Sequence, residues 1–424
     1  MRYTFDLPAS FDPTEFLPGR LMLQADAARW LMSTILRKTA NRDTDVWGLV
    51  RLDSRILRRV MGRESSAIIR ALKCGAIESA PHCANVKTKG YRLQKRYLGD
   101  RCVRMPCVDP HLLARLDAER RRLDAQDTRS CWLPIHHALD AEQRALSIDA
   151  PAADAILAGL PAHTRLCQDV LVGDLRRRDF RFSVGSTGRV FNALTGLKRE
   201  LREAVRLASE PMGSVDIACA QPGLLALEMT RGLPPNGPKG RATYKVHRSG
   251  AASAPAPCAS PAPASAGLPP APSPALDSFA SLVLSGALYE VLAERTGLSR
   301  DLVKHRFLVD VLAKRGRYPS RVEDVFRREF PEVYRFVRRV NRRDHGELIR
   351  RLQGLESWLV VEQVAPLLVG RVPCITLHDA IYSGRSALDT VEEAFEEVFD
   401  AIGFRLTLKR EAADPAQGQW PRGL

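Results

Sequence analysis

The chain has 424 residues, of which 45% are hydrophobic, and this length favours two or three domains. Its formal net charge is +15, and Arg outnumbers Lys among the basic residues. No secretory leader and no long apolar run is visible, so we expect no segment that spans or crosses a membrane. The nine cysteines include no Cys-x-x-Cys pair, which is typical of free thiols in a reducing cytoplasm.

The excess of positive charge predicts a polyanionic partner, because Arg side chains bind phosphates and base edges. A GC-rich coding bias would explain the choice of Arg over Lys, but not the net excess of cations. We therefore expect a nucleic-acid partner, and a merely basic surface is the alternative. A zinc site is not expected, since the spacing of its four candidate ligands matches no standard pattern. These candidates are Cys102, Cys107, Cys131 and His136.

Two segments are predicted at the N-terminus. Residues 1–44 form a docking segment around an amphipathic helix, 21–36. Its apolar residues at helical spacing are Leu23, Ala27, Trp30, Leu31 and Ile35. Residues 45–100 have the order strand, helix, helix, strand, strand, which is typical of a winged helix-turn-helix.

The second helix of this winged-helix-like module, residues 64–74, is the predicted nucleic-acid-binding element. It would carry Ser65, Ser66, Arg70 and Lys73, of which Arg70 and Lys73 are the candidate contacts with DNA. A module of this kind either binds DNA or packs against protein, and the sequence leaves both open. Residues 101–182 are helical and densely charged, which indicates a solvated helix face or a surface that follows a nucleic-acid backbone.

The composition of residues 233–275 changes to Pro, Ala, Ser and Gly, which predicts a flexible insertion without a core. On its two sides stand two short apolar runs that each end in an acid. The first run leads to Asp216 and is followed by a Pro-Gly pair and a leucine-rich helix; the second leads to His378 and Asp379. A lone buried carboxylate is costly without a partner, so adjacent strands carrying Asp216 and Asp379 predict a divalent-metal pair for phosphoryl transfer.

Three further pieces accompany these acids. Ser186-Thr187-Gly188-Arg189 precedes the Asp216 strand, and a helix at 298–307 carries Arg300 and Lys304 one turn apart. A helix with Gln353 and Glu356 at one-turn spacing precedes the His378-Asp379 pair.

In this order the pieces resemble the superfamily of family A DNA polymerases and single-subunit phage RNA polymerases, over roughly residues 183–410 without the insertion. The resemblance implies an α+β right-hand polymerase fold with an antiparallel palm sheet and helical fingers and thumb. The implied regions are a thumb-like 101–182, a palm at 183–232, fingers at 276–350 and a second palm segment at 351–424, besides the N-terminal module.

The resemblance also implies roles for individual residues. Asp216 and Asp379 would hold two Mg²⁺ ions, and Arg300 and Lys304 would bind the nucleotide triphosphate. His378 would contact the primer end. The residues implied in primer–template contact are Thr187, Arg189 and Gln353.

The chain departs from the family pattern in the fingers and beside the first acid. The aromatic and Tyr-Gly positions after Lys304 hold Leu308 and Leu312, with Phe307 and Gly316 out of register. Gln221 occupies the position of a Glu that blocks the 2′-hydroxyl in the DNA enzymes, so we expect weaker discrimination against ribonucleotides. Ala380 follows the second acid, as in the phage RNA polymerases, where a Glu is also absent.

The expected activity is template-directed nucleotide addition to a primer 3′-end, with primer–template DNA and nucleoside triphosphates as partners. The stretch before Thr187 lacks the ordered acids of a 3′→5′ exonuclease, so no proofreading is expected. The alternative is a DNA-binding replication or defence factor that uses the winged helix and keeps the polymerase-like body as a scaffold. The sequence leaves open whether a replication partner protein is needed, and whether template and product are DNA or RNA.

Overall fold

The computed structural model of the protein describes residues 3–45, 47–80, 88–125, 128–231 and 274–412. Within these ranges the chain mixes α-helices with antiparallel strand pairs, as the sequence predicts at this level. No single helix of the described ranges is long and apolar enough to cross a bilayer, although one pair of helices bent by 110° passes that test together. The helices of this pair are Pro274–Leu284 and Leu288–Thr296.

The α-helices are numbered in chain order. They are α1 Ala25–Ala40, α2 Ser54–Met61, α3 Ser65–Leu72, α4 Pro110–Asp124, α5 Pro134–Glu142, α6 Ala150–Gly159, α7 Ala162–Arg177, α8 Arg199–Arg202, α9 Ala220–Arg231, α10 Pro274–Leu284, α11 Leu288–Thr296, α12 Arg300–Arg306, α13 Arg321–Glu329, α14 Pro331–Val340, α15 Glu347–Ser357, α16 Ala365–Leu368 and α17 Leu388–Ile402. π-Helical turns continue α12 over Phe307–Leu312 and join α15 to α16 over Trp358–Val364.

The strands are numbered in the same way. They are β1 Thr4–Pro8, β2 Val50–Leu52, β3 Ile77–Ser79, β4 Lys89–Leu93, β5 Cys102–Pro106, β6 Leu146–Ile148, β7 Ser183–Val184, β8 Val190–Phe191, β9 Val205–Leu207, β10 Glu210–Ile217, β11 Cys374–Leu377, β12 Ala380–Gly384 and β13 Leu408–Ala412.

The chain divides into two compact units. The first unit contains Met1–Trp132, Leu146–Phe180 and Ala193–Arg206, and the second contains Leu133–Ala145, Arg181–Asn192 and Leu207–Leu424. The predicted insertion, 233–275, lies outside the described residues except for its last two, which begin α10.

The first unit contains the predicted strand and helix order of the winged-helix-like module. β2, α2, α3, β3 and β4 follow one another, and the strands pair in the order β2–β4–β3. The segment that joins β3 to β4, residues 81–87, lies outside the described residues. Ser65, expected beside the other polar residues of the second helix, is 6% exposed and belongs to the inner side of α3.

The N-terminal helix begins later than the sequence predicts. Residues Gly19–Gln24 form a 3₁₀ turn, and α1 starts at Ala25. Because a 3₁₀ turn has three residues per turn rather than 3.6, Leu23 leaves the apolar stripe and is 81% exposed. Ala27, Leu31 and Ile35 remain in the stripe and are fully buried.

A charged network fixes α1 inside the first unit. Arg37 of α1 forms ion pairs with Asp6 of β1 and, at 3.0 Å, with Asp174 of α7. Asp6 is 1% exposed, so its carboxylate depends for compensation on this cation and on Arg177, whose Nη2 lies 3.7 Å from it. The Asp174 and Asp6 carboxylates raise the pKa of Arg37 against the opposing effect of burial.

The second unit is built on a sheet in which β11, β12, β10 and β13 lie side by side in that order. The alternation of apolar residues over 404–409 predicts a last strand in the sequence, but β13 starts at Leu408. Phe404 and Leu406 are buried in the core at 7% and 2% exposure, and this alternation produced the strand-like pattern. Just before β13, the Thr407 carbonyl accepts a hydrogen bond from the amide of Ala218, the first residue after β10, at 2.8 Å.

The helix that follows β10 is buried over residues 222–229, as expected of a helix enclosed by others. α9 starts at Ala220, so the Pro222-Gly223 pair lies inside its first turn rather than in a turn before it. Proline is tolerated there because the first-turn amides lack helical acceptors. A Cβ on Gly223 would lie 2.6 Å from a Leu406 methyl carbon, so this position requires glycine for close packing.

Candidate functional site

Two strands bring the two predicted acids together. Asp216 of β10 is paired with Ala380 of β12, and the Ile217 amide donates to the Asp379 carbonyl at 3.2 Å. Asp379 stands in the two-residue turn between β11 and β12, next to His378, whose φ is +57°. The carboxylates thus lie at neighbouring positions beside the end of β10, although they are far apart in sequence.

Burial raises the pKa of both carboxylates, and the charge of Asp379 adds to the shift of Asp216. Desolvation, and then the charge of Asp379, raise the pKa of Asp216 to about 6. Burial also raises the pKa of Asp379, while the Lys304 ammonium and the Arg189 guanidinium lower it. One Asp216 oxygen, Oδ1, is buried without a hydrogen-bond partner among the described residues. Two adjacent carboxylates with this deficit of positive charge fit a divalent cation.

Lys304 on α12 is the cation that the sequence predicts as a phosphate-binding residue. It is exposed, and its charge lowers the pKa of both Asp216 and Asp379, which places it in the field of the pair. Arg300, one turn earlier, is held elsewhere: its Nε donates to Glu290 of α11 at 2.5 Å. Its guanidinium carbon also lies 5.9 Å from the Tyr289 ring centroid. The structure therefore brings Lys304 to the acids and pairs Arg300 with a carboxylate.

Arg189 ends the loop between β7 and β8. The Gly185 amide donates to the Arg189 carbonyl at 2.8 Å, and Gly188 has a φ of +80°, which glycine adopts without strain. The Arg189 side chain is 19% exposed and its Nη2 lies 2.7 Å from the carboxylate of Glu356 on α15. The predicted primer–template contact is thus an ion-paired residue in this structure, and Thr187 is half-buried in the same loop.

Gln221, in the first turn of α9, meets the same carboxylate. Its Nε2 donates to Glu356 Oε2 at 2.8 Å. Glu356 is 2% exposed, and burial, with a further contribution from Asp379, raises its pKa to about 7. One carboxylate therefore joins the predicted sugar-selecting residue to the predicted template-contacting residue.

The turn of the β11–β12 hairpin is packed against the end of β8. The Phe191 ring meets the His378 ring edge-on with centroids 6.4 Å apart. The Asn192 amide donates to the Thr376 carbonyl at 2.7 Å. These contacts hold the Arg189 loop beside the turn that carries Asp379.

Three residues that contact or act on the predicted site residues were not assigned site roles from the sequence. Glu356 carried a signal, its one-turn spacing from Gln353, but nothing local shows that it meets Gln221 and Arg189. Lys409 of β13 is the direct register partner of Asp216 and lowers its pKa. The third is Glu290, the partner of Arg300. Gln353 is half-buried on α15, one turn before Glu356.

Metal ligation beyond the two acids is not evident in the described part of the chain. There, no group of three or more His, Cys, Asp or Glu side chains is arranged to hold a metal ion. Burial raises the pKa of the Cys102 thiol to about 12, which disfavours the thiolate that zinc requires.

The candidate nucleic-acid residues of the first unit are on its surface. Arg70 of α3 is exposed, and Lys73, also exposed, is the first residue after the helix rather than part of it. Both residues belong to the first unit, whereas Asp216 belongs to the second.

Comparisons with known proteins give no family assignment. No model of a protein family matches the chain, and the search of curated proteins finds no match.

Proposed function

We propose that the protein is a template-directed nucleotidyltransferase, a family A-like DNA polymerase without proofreading, that adds nucleotides to a primer 3′-end. The observation that carries the proposal is the convergence of Asp216 and Asp379 beside the end of β10, with Lys304 in their field. The ordered motifs that resemble the polymerase superfamily support it from the sequence side. A right-hand layout of palm, fingers and thumb belongs to the same proposal.

Each predicted site residue would have a separate role in phosphoryl transfer. Asp216 and Asp379 would hold two Mg²⁺ ions, which supply charge neutralisation at the attacking and leaving oxygens of phosphoryl transfer. Lys304 would bind the phosphates and stabilise the charge that develops on them. Arg300 would join it on release from Glu290. His378, Thr187 and Gln353 would position the primer and template.

A second candidate function rests on the first unit. The β2–β4–β3 sheet with α2 and α3, and the exposed Arg70 and Lys73, support a DNA-binding replication or defence factor. In that case the second unit would be a scaffold.

Primer extension tests the two candidates against each other. Wild type should extend a primer with Mg²⁺, and Asp216→Ala or Asp379→Ala should lower the rate on the order of a thousand-fold or more. Asp400→Ala, at a 65% exposed acid of α17, is the matched control and should keep the rate. DNA and RNA templates, each with deoxy- and ribonucleotides, identify the substrate pair. Wild-type inactivity together with DNA binding that both acid variants retain would favour the second candidate.

A further inference from the structure

Glu356 is a buried acid for which the resemblance to polymerases supplies no role. It is 2% exposed, it lies in the interior of the second unit, and two groups of that unit use its carboxylate at once. Arg189 Nη2 lies 2.7 Å from it and Gln221 Nε2 donates to it at 2.8 Å. In its ionised form the Glu356 carboxylate accepts hydrogen bonds only, so the NH₂ group of the Gln221 amide faces it.

This contact determines the orientation of the Gln221 side-chain amide. With Nε2 bound to Glu356, the amide oxygen Oε1 is the group left over, and it is buried without a hydrogen-bond partner among the described residues. An unsatisfied buried acceptor is costly, and a hydroxyl donor from a ligand would relieve that cost. A nucleotide sugar offers such a donor.

We propose that Glu356 is a positioning residue that orients the Gln221 amide and the Arg189 guanidinium, so that Gln221 offers an acceptor to a hydroxyl of the incoming nucleotide's sugar. The inference rests on the proposed function and adds to it the residue that sets sugar selectivity through Gln221. It also couples sugar selectivity to primer–template binding, because Gln221 and Arg189 share the Glu356 carboxylate.

The selectivity ratio tests the positioning role, since a loss of packing alone would lower all rates together. The ratio is kcat/KM for a deoxynucleotide over kcat/KM for the matching ribonucleotide. Glu356→Gln keeps the shape but lets the Gln221 amide turn over, so the ratio should move roughly ten-fold toward that of Gln221→Ala. In the double variant Glu356→Gln/Gln221→Ala, the ratio should stay within about two-fold of Gln221→Ala, because the two changes act through one contact.

Glu228→Gln is the matched control. Glu228 lies on the same helix as Gln221, is 7% exposed, and its pKa is likewise raised by burial, but it pairs with Arg351. Its substitution should leave the ratio unchanged. Equal losses for both nucleotides in Glu356→Gln, or additive shifts in the double variant, would overturn the positioning role while the proposed function stands. A wild type that extends no primer on any template overturns both.

A melting experiment tests the contact without activity. Gln221→Glu places two carboxylates against each other and should lower the melting temperature by roughly 5 °C. The exchange Gln221→Glu/Glu356→Gln restores an amide–carboxylate pair and should recover most of that loss. No recovery in the exchanged pair would overturn the proposed contact.

Discussion

Asp216 and Asp379 are held together at a cost to the fold. Each carboxylate loses hydration on burial, and Asp216 also lies in the field of Asp379, which together raise the pKa of Asp216 to about 6. The nearby cations Lys304 and Lys409 offset this only in part. A protein core would not retain such a pair for stability, and a bound cation is the simplest compensation.

Replacing Asp216 by Asn should therefore stabilise the metal-free protein. The folded state raises the pKa of Asp216 from 3.8 to about 6, so it binds this proton more tightly than the unfolded chain does. Stability from this group consequently falls as the pH rises from about 4 to about 6 and stays reduced above that range. Asp216→Asn should gain on the order of 2 kcal/mol in urea unfolding with EDTA at pH 7.5.

Urea unfolding of wild type and Asp216→Asn at pH 4 is the first control, because the gain in unfolding free energy should nearly vanish at that pH. Asp400→Asn supplies the control in the chain, since this exposed acid pairs with Arg405 at 2.8 Å and should not become more stable on neutralisation. An Asp216→Asn protein that is no more stable than wild type at pH 7.5 would contradict the strain attributed to the pair.

The acids could be predicted from sequence because each ends an apolar run, and strand ends are local patterns. The pairing of Gln221 with Glu356 could not, since it joins an α9 residue to an α15 residue far along the chain. Glu356 also occupies a position that looks like one face of an amphipathic helix. Only the packing of α15 against α9 shows that this face is enclosed.

Among the elements, α12 with its π-helical continuation determines where Lys304 stands. Buried Asp310, in the π-helical turn, accepts hydrogen bonds from Tyr318 and Ser320, both at 2.7 Å. The Asn341 amide donates to the Leu312 carbonyl at 2.7 Å, where the π-helical turn ends. π-Helical turns are rare and poorly stable alone, so side-chain contacts such as these maintain this one.

Truncating Asp310 should weaken this element. Asp310 is 1% exposed, and Asp310→Ala would leave the two hydroxyl donors without their acceptor, at a cost of about 2–4 kcal/mol of unfolding free energy. Urea denaturation followed by circular dichroism measures the loss. Asp301→Ala, at an exposed acid of α12, is the control and should cost at most about 1 kcal/mol. Equal effects of the two substitutions would show that the hydroxyl network does not support the turn.

Element boundaries are harder to predict from a local pattern than the elements themselves. The predictions failed where tertiary packing replaced local preference. The Pro222-Gly223 pair is locally a turn signal, yet it lies in a helix because α9 packs closely on Leu406. The strand predicted at 404–409 failed for the same reason, since Phe404 and Leu406 point into the core ahead of β13.

At the scale of the whole molecule, the net charge of +15 is not spread evenly. Many Arg side chains are neutralised by neighbouring acids, as Arg350 is by Asp344 at 2.7 Å. Four exposed Arg side chains at the end of α14 and just after it have no acidic partner among the described residues: Arg338, Arg339, Arg342 and Arg343. Uncompensated cations of this density attract phosphates more strongly than paired ones do.

Nucleic-acid binding should therefore depend on this Arg cluster more than on net charge. Replacing all four cluster residues by Gln should flatten the slope of log affinity against log salt by about two to four, since each phosphate contact in a duplex contributes about 0.9. Fluorescence anisotropy with a labelled duplex measures the slope.

A control variant removes the same charge at four ion-paired Arg residues, each within 3.0 Å of a carboxylate, and should change the slope much less. They are Arg55, Arg327, Arg350 and Arg405. Equal slopes in the two variants would mean that net charge alone governs binding, and that the cluster is an ordinary solvated surface.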